Sequence, residues 1–200
     1  MKTELEVLAK RFNEILRKQN KTPAEIDEKE ELRLALEDAY TEDEEPLIED
    51  LNNIGFDIKS VWDLVDKKIN YTSAIPILIT HLSKPYHIKN KEGIVRSLAV
   101  KEAKGVACNA IIAEYHKAPK NNYHYRWTFG NTMDVIITSD FTDKIIDIVQ
   151  DEKNGESRHM FVKALGKINS LRVKEALLSL LSDDNKIIAK EAKKALKKFK

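Results

Sequence analysis

The feature that most constrains this chain is a repeat of apolar positions in its C-terminal two thirds. Residues 72–200 predict four pairs of amphipathic helices, in which equivalent apolar residues recur every 31 to 35 residues. A helix pair that recurs at this interval is typical of an α-solenoid, because one pair cannot bury both of its apolar faces alone. The two series of landmark residues are Leu82, Tyr115, Val149 and Leu181, and Leu98, Met133, Leu165 and Leu196.

The same periodicity predicts where each helix of the four pairs lies. Apolar residues spaced three and four apart mark one buried stripe on each helix. The predicted first helices are 73–83, 105–117, 142–151 and 172–182. The predicted second helices are 87–99, 123–138, 157–168 and 186–199.

The N-terminal region, residues 1–71, is helical but less regular, and we interpret it as a cap on the repeats. After a first amphipathic helix, Thr22 and Glu25 form a capping box that begins a second helix running to about Ala39. The acidic run 41–46 contains a proline and predicts a loop, and two short helices should follow it.

Composition agrees with an all-helical protein and excludes several other classes. Charged residues make up 34% of the chain, and it has only six glycines and five prolines, too few for a sandwich or barrel. The single cysteine, Cys108, excludes an internal disulfide and a cysteine-based zinc site. Because no apolar stretch is long enough to span a bilayer and the start does not resemble a signal peptide, we expect a cytoplasmic protein without membrane association.

Charge is unevenly distributed along the chain, although the net charge is only +1. Residues 1–60 have a balance of −8, and residues 61–200 have a balance of +9. This asymmetry suits an acidic or nucleic-acid partner. Alternatively, the charged residues only solvate the outer faces of the helices.

The segment 161–168, Phe-Val-Lys-Ala-Leu-Gly-Lys-Ile, together with the helix that follows it, resembles the signature of HEAT repeats. Residues 74–78, which include Pro76, resemble the start of a first HEAT helix, whereas 132–136 departs from the signature. The stretch 47–103 is also similar to small bacterial HEAT-repeat proteins whose function is not characterised. The resemblance implies a right-handed α-α superhelix of the HEAT (armadillo-like) type, with about four C-terminal helix pairs and an irregular helical cap, acting as a binding scaffold.

The side of the second helices that faces away from the core is the predicted binding face. On the helix 123–138, Trp127, Asn131 and Asp134 share one side. Second helices line the concave surface of HEAT arrays, so the resemblance implies a row of such residues along it, and Trp, Tyr and Arg are the residues enriched in binding hot spots. The predicted binding residues are Arg96, Tyr123, Arg126, Trp127, Asn131, Asp134, Arg158, His159 and Lys163.

This pattern favours a non-catalytic scaffold that binds a protein or peptide partner. No catalytic residue, metal-ligand set or cofactor motif is recognised, since the five histidines lack the spacings of metal sites. Nucleic-acid binding is one alternative, because the region 61–200 is basic. Some HEAT-like proteins are alkylpurine DNA glycosylases, and Trp127 and Asp134 would match their aromatic and acidic residues. If Trp127 instead packs against other helices, it belongs to the core, as we expect for Trp62.

Overall fold

The fold is all-helical, as the sequence predicts. The computed structural model describes residues 2–66 and 70–199, and within these ranges it contains eleven α-helices, five short 3-10 segments and no strand. The predicted N-terminal region and repeat region are therefore described except for residues 1, 67–69 and 200. The helices are α1 (Lys2–Leu16), α2 (Pro23–Asn53), α3 (Trp62–Asp66), α4 (Ile75–Leu82), α5 (Ile88–Ser97), α6 (Cys108–Lys117), α7 (Tyr123–Ile136), α8 (Thr142–Gln150), α9 (His159–Leu165), α10 (Leu171–Ser179) and α11 (Lys186–Leu196).

Helices α1 and α2 pack against each other, and the predicted capping box begins α2. The Thr22 hydroxyl accepts the Glu25 amide at 3.3 Å, and the Glu25 carboxylate accepts the Thr22 amide at 3.0 Å. Across the two helices, Arg11 donates hydrogen bonds of 2.6 and 2.7 Å to the Glu28 carboxylate. These contacts fix the turn between α1 and α2.

The predicted loop at 41–46 is wrong, because α2 continues without a break through this run to Asn53. Pro46 lies inside the helix and lacks the N–H that would bind the carbonyl of Glu42. Its side chain is on the exposed side of α2, where water can replace that hydrogen bond. Leu47 and Leu51, in contrast, are fully buried and hold this part of α2 against the core.

Two carboxylates of the acidic run explain why it is helical. Glu44, which is buried, accepts the Val61 amide at 3.0 Å. Asp43 accepts the His87 amide at 2.8 Å and the Asn90 side-chain amide at 2.9 Å, at the beginning of α5. Asp43 therefore joins α2 to the first helix pair, and Glu44 joins α2 to the segment before α3, so the run does not form a solvated loop.

Helices α4 to α11 form four successive pairs, and their ends agree with the predicted ends to within three residues. The two helices of each pair contact each other. Each second helix also contacts the next one, so that α5 packs on α7, α7 on α9, and α9 on α11. The second helices thus form one continuous layer.

Close packing between second helices depends on two glycines. A Cβ atom added to Gly130 would lie 2.6 Å from the Cβ of Met160, and one added to Gly166 would lie 2.8 Å from the Cβ of Ala195. Two non-bonded carbon atoms do not come this close, so a side chain at either position would push the neighbouring helix away. Glycine at these positions therefore lets the backbones of α7 and α9, and then of α9 and α11, approach each other.

The landmark residues of the repeat form most of one continuous core. Six of the eight are buried, and Leu196 packs against the same core while partly exposed. Leu181 is the exception, with 42% exposure, because α10 ends at Ser179 and Leu180 takes the inward position. None of the described helices has both the length and the apolar character needed to cross a membrane.

Candidate functional site

A cluster of charged side chains joins α5 to α7. Arg96 donates to one oxygen of the Glu92 carboxylate, with distances of 2.9 Å from Nε and 2.7 Å from Nη2. His124 of α7 places its Nε2 atom 3.1 Å from the same oxygen. The Glu92 side chain is only 11% exposed, whereas that of His124 is 67% exposed. The buried carboxylate thus holds two basic side chains at the surface.

Trp127 connects α7 to α9. Its indole N–H donates to Nε2 of His159 at 3.2 Å, and the His124 ring stacks beside it with ring centroids 6.3 Å apart. Because Nε2 of His159 accepts this bond, its Nδ1 carries the proton and donates to the Glu156 carbonyl at 3.1 Å. Trp127 is half-buried, so one edge of the indole is held and the rest can contact a partner.

Asp134 lies on the same side of α7, two turns after Trp127, and binds two lysines. Its carboxylate is 3.0 Å from the Lys163 ammonium and 2.9 Å from the Lys167 ammonium. The carboxylate is 12% exposed, while the two lysine side chains are 44% and 45% exposed. Since Lys163 is one turn after His159 on α9, this cluster adjoins the Trp127 cluster.

Trp62 extends the row of aromatic and basic side chains toward α3. The Lys89 ammonium lies 4.2 Å from the centroid of its ring, and the Arg96 guanidinium lies 5.9 Å from it. Trp62 is half-buried. One side of it packs on the core, as expected, and the rest lies next to the basic side chains at the surface. The repeat pattern did not predict that Trp62 belongs to this row, because α3 precedes the four helix pairs.

Tyr123 and Asn131 occupy the edges of this surface. Tyr123, in the first turn of α7, is 43% exposed, and partial burial, together with the nearby Glu156 carboxylate, raises the pKa of its phenol. Asn131 is half-buried one turn after Trp127, and its amide makes no hydrogen bond to the described residues. Both side chains remain accessible to a partner.

Arg126 and Arg158 differ from the prediction, because both are buried, at 1% and 2% exposure. Arg126 donates to the carbonyls of Tyr115 and Ala118 at the end of α6, at 3.2 and 3.1 Å. Arg158 donates to the carbonyl of Val149 near the end of α8, at 2.9 Å. The last carbonyls of a helix have no partner within it, and these guanidinium groups supply one.

The same two arginines also join successive helix pairs. Arg126 donates to the side-chain oxygen of Asn154 at 2.8 Å, and Arg158 donates to the Asp183 carboxylate at 2.7 and 3.0 Å. Asn154 and Asp183 each lie between the two helices of the following pair. The two arginines therefore have equivalent positions and equivalent structural roles, away from the exposed surface.

A separate buried histidine, His81 of α4, connects α2 to the segment after α4. Its Nδ1 is 2.6 Å from the Tyr86 hydroxyl, and its Nε2 is 2.7 Å from the Asp50 carboxylate and 3.0 Å from the Lys84 ammonium. Burial lowers the pKa of His81, against the opposing effect of its bond to Asp50, and burial raises the pKa of Tyr86 to about 12. Because both ring nitrogens are engaged, the imidazole acts as a cross-link.

The structure thus brings together five of the predicted residues with three that the prediction omitted. We call this surface the second-helix face. It consists of Glu92, Arg96, His124, Trp127, Asp134, His159, Lys163 and Lys167.

Comparison with known proteins finds no relative of this chain. The chain matches no protein-family model, no curated protein and no solved structure. Among the described residues, no group of three His, Cys, Asp or Glu side chains is placed to hold a metal ion.

Proposed function

We propose that this chain is a non-catalytic binding protein, a right-handed HEAT-like superhelix whose second-helix face binds an acidic segment of a protein or peptide. The observation that carries the proposal is the series of side-chain contacts that crosses α5, α7 and α9 around Trp127. The continuous contact of successive second helices supports the superhelix, since stacked pairs of this kind build extended binding surfaces.

The charges of the second-helix face favour an acidic partner. Each of its two carboxylates already binds two basic groups. Lys163 and Lys167 nevertheless remain nearly half exposed, and an ammonium has three hydrogens to donate. A carboxylate of the partner could therefore bind these lysines without displacing Asp134.

Trp127 supplies the apolar contact that such a surface needs. Large aromatic side chains flanked by charged groups dominate the free energy of many protein interfaces. The bond to His159 and the neighbouring His124 ring fix the orientation of the indole before a partner arrives. A preoriented side chain loses little conformational entropy on binding.

The geometry gives the glycosylase alternative no support. Its catalytic carboxylate would be Asp134, which is 12% exposed and engaged by two lysines. Nucleic-acid binding would use the same basic side chains as binding of an acidic peptide, and its steep dependence on salt distinguishes it.

Selection from a displayed random-peptide library against the full chain tests the proposal. The enriched sequences should combine Asp or Glu residues with one aromatic or aliphatic residue. Trp127→Ala should weaken binding of the enriched peptide roughly 30-fold, the change that corresponds to a hot-spot residue. Fluorescence titration with labelled peptide measures both affinities.

Phe141→Ala is the matched control, because Phe141 is also a half-buried aromatic beside a lysine but lies before α8. Both variants lose aromatic packing, and only Trp127→Ala should lose affinity. Equal affinities for the two variants, or no enriched peptide, would contradict the proposal. Binding to DNA that falls steeply with salt and survives Trp127→Ala would replace it with nucleic-acid binding.

A further inference from the structure

A groove at the N-terminal end of the molecule combines an apolar floor with an acidic rim. One cavity of about 600 Å³ lies between α1, α2 and the segment that precedes α5, and Leu5, Leu8 and Ala39 contribute to its apolar lining. A second cavity of about 640 Å³ continues along α2, and both cavities include Asp38 and Glu42. The two cavities thus form one groove along the side of α2.

Four carboxylates follow this groove at regular spacing. Asp38, Glu42, Glu45 and Glu49 are separated by four, three and four residues, so they share one side of α2. All four are exposed and line the groove, and none forms an ion pair with a described residue. At 1.5 Å per residue, this acidic stripe is about 16 Å long.

Helix α11, at the other end of the series of helix pairs, has a basic stripe with the same spacing. Lys186, Lys190, Lys193 and Lys197 are also separated by four, three and four residues, and all four are exposed. Within the described part of the chain they form no ion pair, whereas the neighbouring Lys194 pairs with Glu191. The basic stripe has the same length as the acidic stripe.

Apolar side chains accompany the basic stripe. Leu178 of α10, Leu181 in the 3-10 segment after α10 and Ile187 of α11 are 48%, 42% and 43% exposed. Within one chain the two stripes are far apart in the order of contacts, since α2 packs on α1, α4 and α5, while α11 packs on α9 and α10. The basic stripe can therefore meet the acidic stripe only on another molecule.

We propose that copies of this chain associate head to tail, with the basic stripe of one copy lying in the acidic groove of the next. The equal spacing aligns four lysines with four carboxylates, and the pattern reads the same in both directions, so antiparallel helices also match. The exposed apolar residues beside α11 would contact the apolar floor of the groove. A head-to-tail contact is heterologous, so it adds copies one after another rather than stopping at a dimer.

None of the eight residues of the second-helix face belongs to either stripe, and the test distinguishes the two surfaces. In sedimentation experiments at low salt, the weight-average mass of the full chain should rise with concentration above 23.0 kDa. At about 1 M salt it should return to that value, because the Debye length falls to about 3 Å. Binding of peptide at Trp127 should not change when the acidic stripe is reversed, because that stripe lies on α2.

Charge reversal of each stripe provides the decisive comparison. A head variant carries Glu42→Lys, Glu45→Lys and Glu49→Lys, and a tail variant carries Lys190→Glu, Lys193→Glu and Lys197→Glu. The association constant of each variant alone should fall more than about tenfold, because its two stripes then carry the same charge and repel each other. An equal mixture of the two should associate again, since each reversed stripe meets a complementary one.

Glu102→Lys, Asp140→Lys and Glu152→Lys together make the control, because these residues are exposed and lie outside both stripes. The control should associate like the wild type. A wild type that stays at 23.0 kDa at low salt would overturn the proposal, as would a mass that stops at two copies. Failure of the mixed variants to associate would also overturn it, and circular dichroism verifies that every variant is folded.

Discussion

Replacing Arg158 with methionine should destabilise the fold by about 3–5 kcal/mol, because it removes one partner of a buried ion pair. The side chains of Arg158 and Asp183 are 3% and 6% exposed, and two hydrogen bonds of 2.7 and 3.0 Å join them. The guanidinium also donates to the carbonyls of Val149 and Gly155, each at 2.9 Å. Methionine retains much of the aliphatic packing, so the loss reports the unpaired carboxylate and carbonyls.

Urea unfolding followed by far-ultraviolet circular dichroism measures this loss. In thermal unfolding, the melting temperature should fall by about 6–20 °C, since each kcal/mol of lost stability corresponds to roughly 2–4 °C in a chain of this size. Hydrogen exchange should locate the effect, because the lost contact joins the α8–α9 pair to the α10–α11 pair. Amides of these helices should exchange faster than those of α4 and α5.

Arg172→Met is the matched control for this experiment. Arg172 pairs with Asp143, but the two side chains are 65% and 68% exposed, so the control should lose at most about 1 kcal/mol. Adding Asp183→Asn to Arg158→Met should recover part of the loss, because the carboxylate no longer carries a buried charge. Equal losses in Arg158→Met and the control would refute the assignment of Arg158 to the scaffold.

Three further predictions concern packing and buried groups. Gly130→Ala should cost about 1–3 kcal/mol in thermal unfolding, because the contact of 2.6 Å with Met160 outweighs the higher helix propensity of alanine; a stabilised variant would contradict this. Burial raises the pKa of Glu44 above its ordinary 4.5, so the wild type loses stability as pH rises through that raised pKa. Glutamine keeps an acceptor for the Val61 amide, so Glu44→Gln should gain stability relative to the wild type between acidic and neutral pH in urea titrations. A difference in the free energy of unfolding between the two proteins that stays constant with pH would contradict this prediction. Burial also raises the pKa of the Cys108 thiol, so a disulfide reagent should label it slowly until the chain is unfolded; rapid native labelling would show that the site opens.

The helices α4 to α11 were predictable because their signal is local. An apolar residue at every third or fourth position indicates which side of a helix packs against the core. Because the pattern repeats, the predicted bounds of one helix pair can be checked against those of the next pair. The continuous helix α2 was not predictable in this way. Pro46 and its acidic neighbours are typical of a loop, and the groups that bind them, the amides of Val61 and His87, come from later in the chain. No local pattern contains that information.

The binding face was predictable only in part, because a helical wheel places the Cα atom and not the end of a long side chain. Arg126 and Arg158 extend back to carbonyls of the preceding helix and disappear from the surface. His124 was missing from the predicted set, although it lies one turn before Trp127 and stacks on it. The spacing of three residues between them was the available signal.

The contrast between these residues suggests how a repeat separates scaffold from binding surface. Arg126 and Arg158 occupy equivalent positions and perform the same task in the two central pairs, where each guanidinium binds carbonyls of the preceding helix and joins its pair to the next one. The position of Trp127 instead holds Glu92 in the preceding pair and His159 in the following pair. A structural need that recurs requires the same residue, whereas a partner contacts each pair at a different point and requires different ones. On this reasoning, the side chains that differ along this row are the first to substitute in a search for the partner.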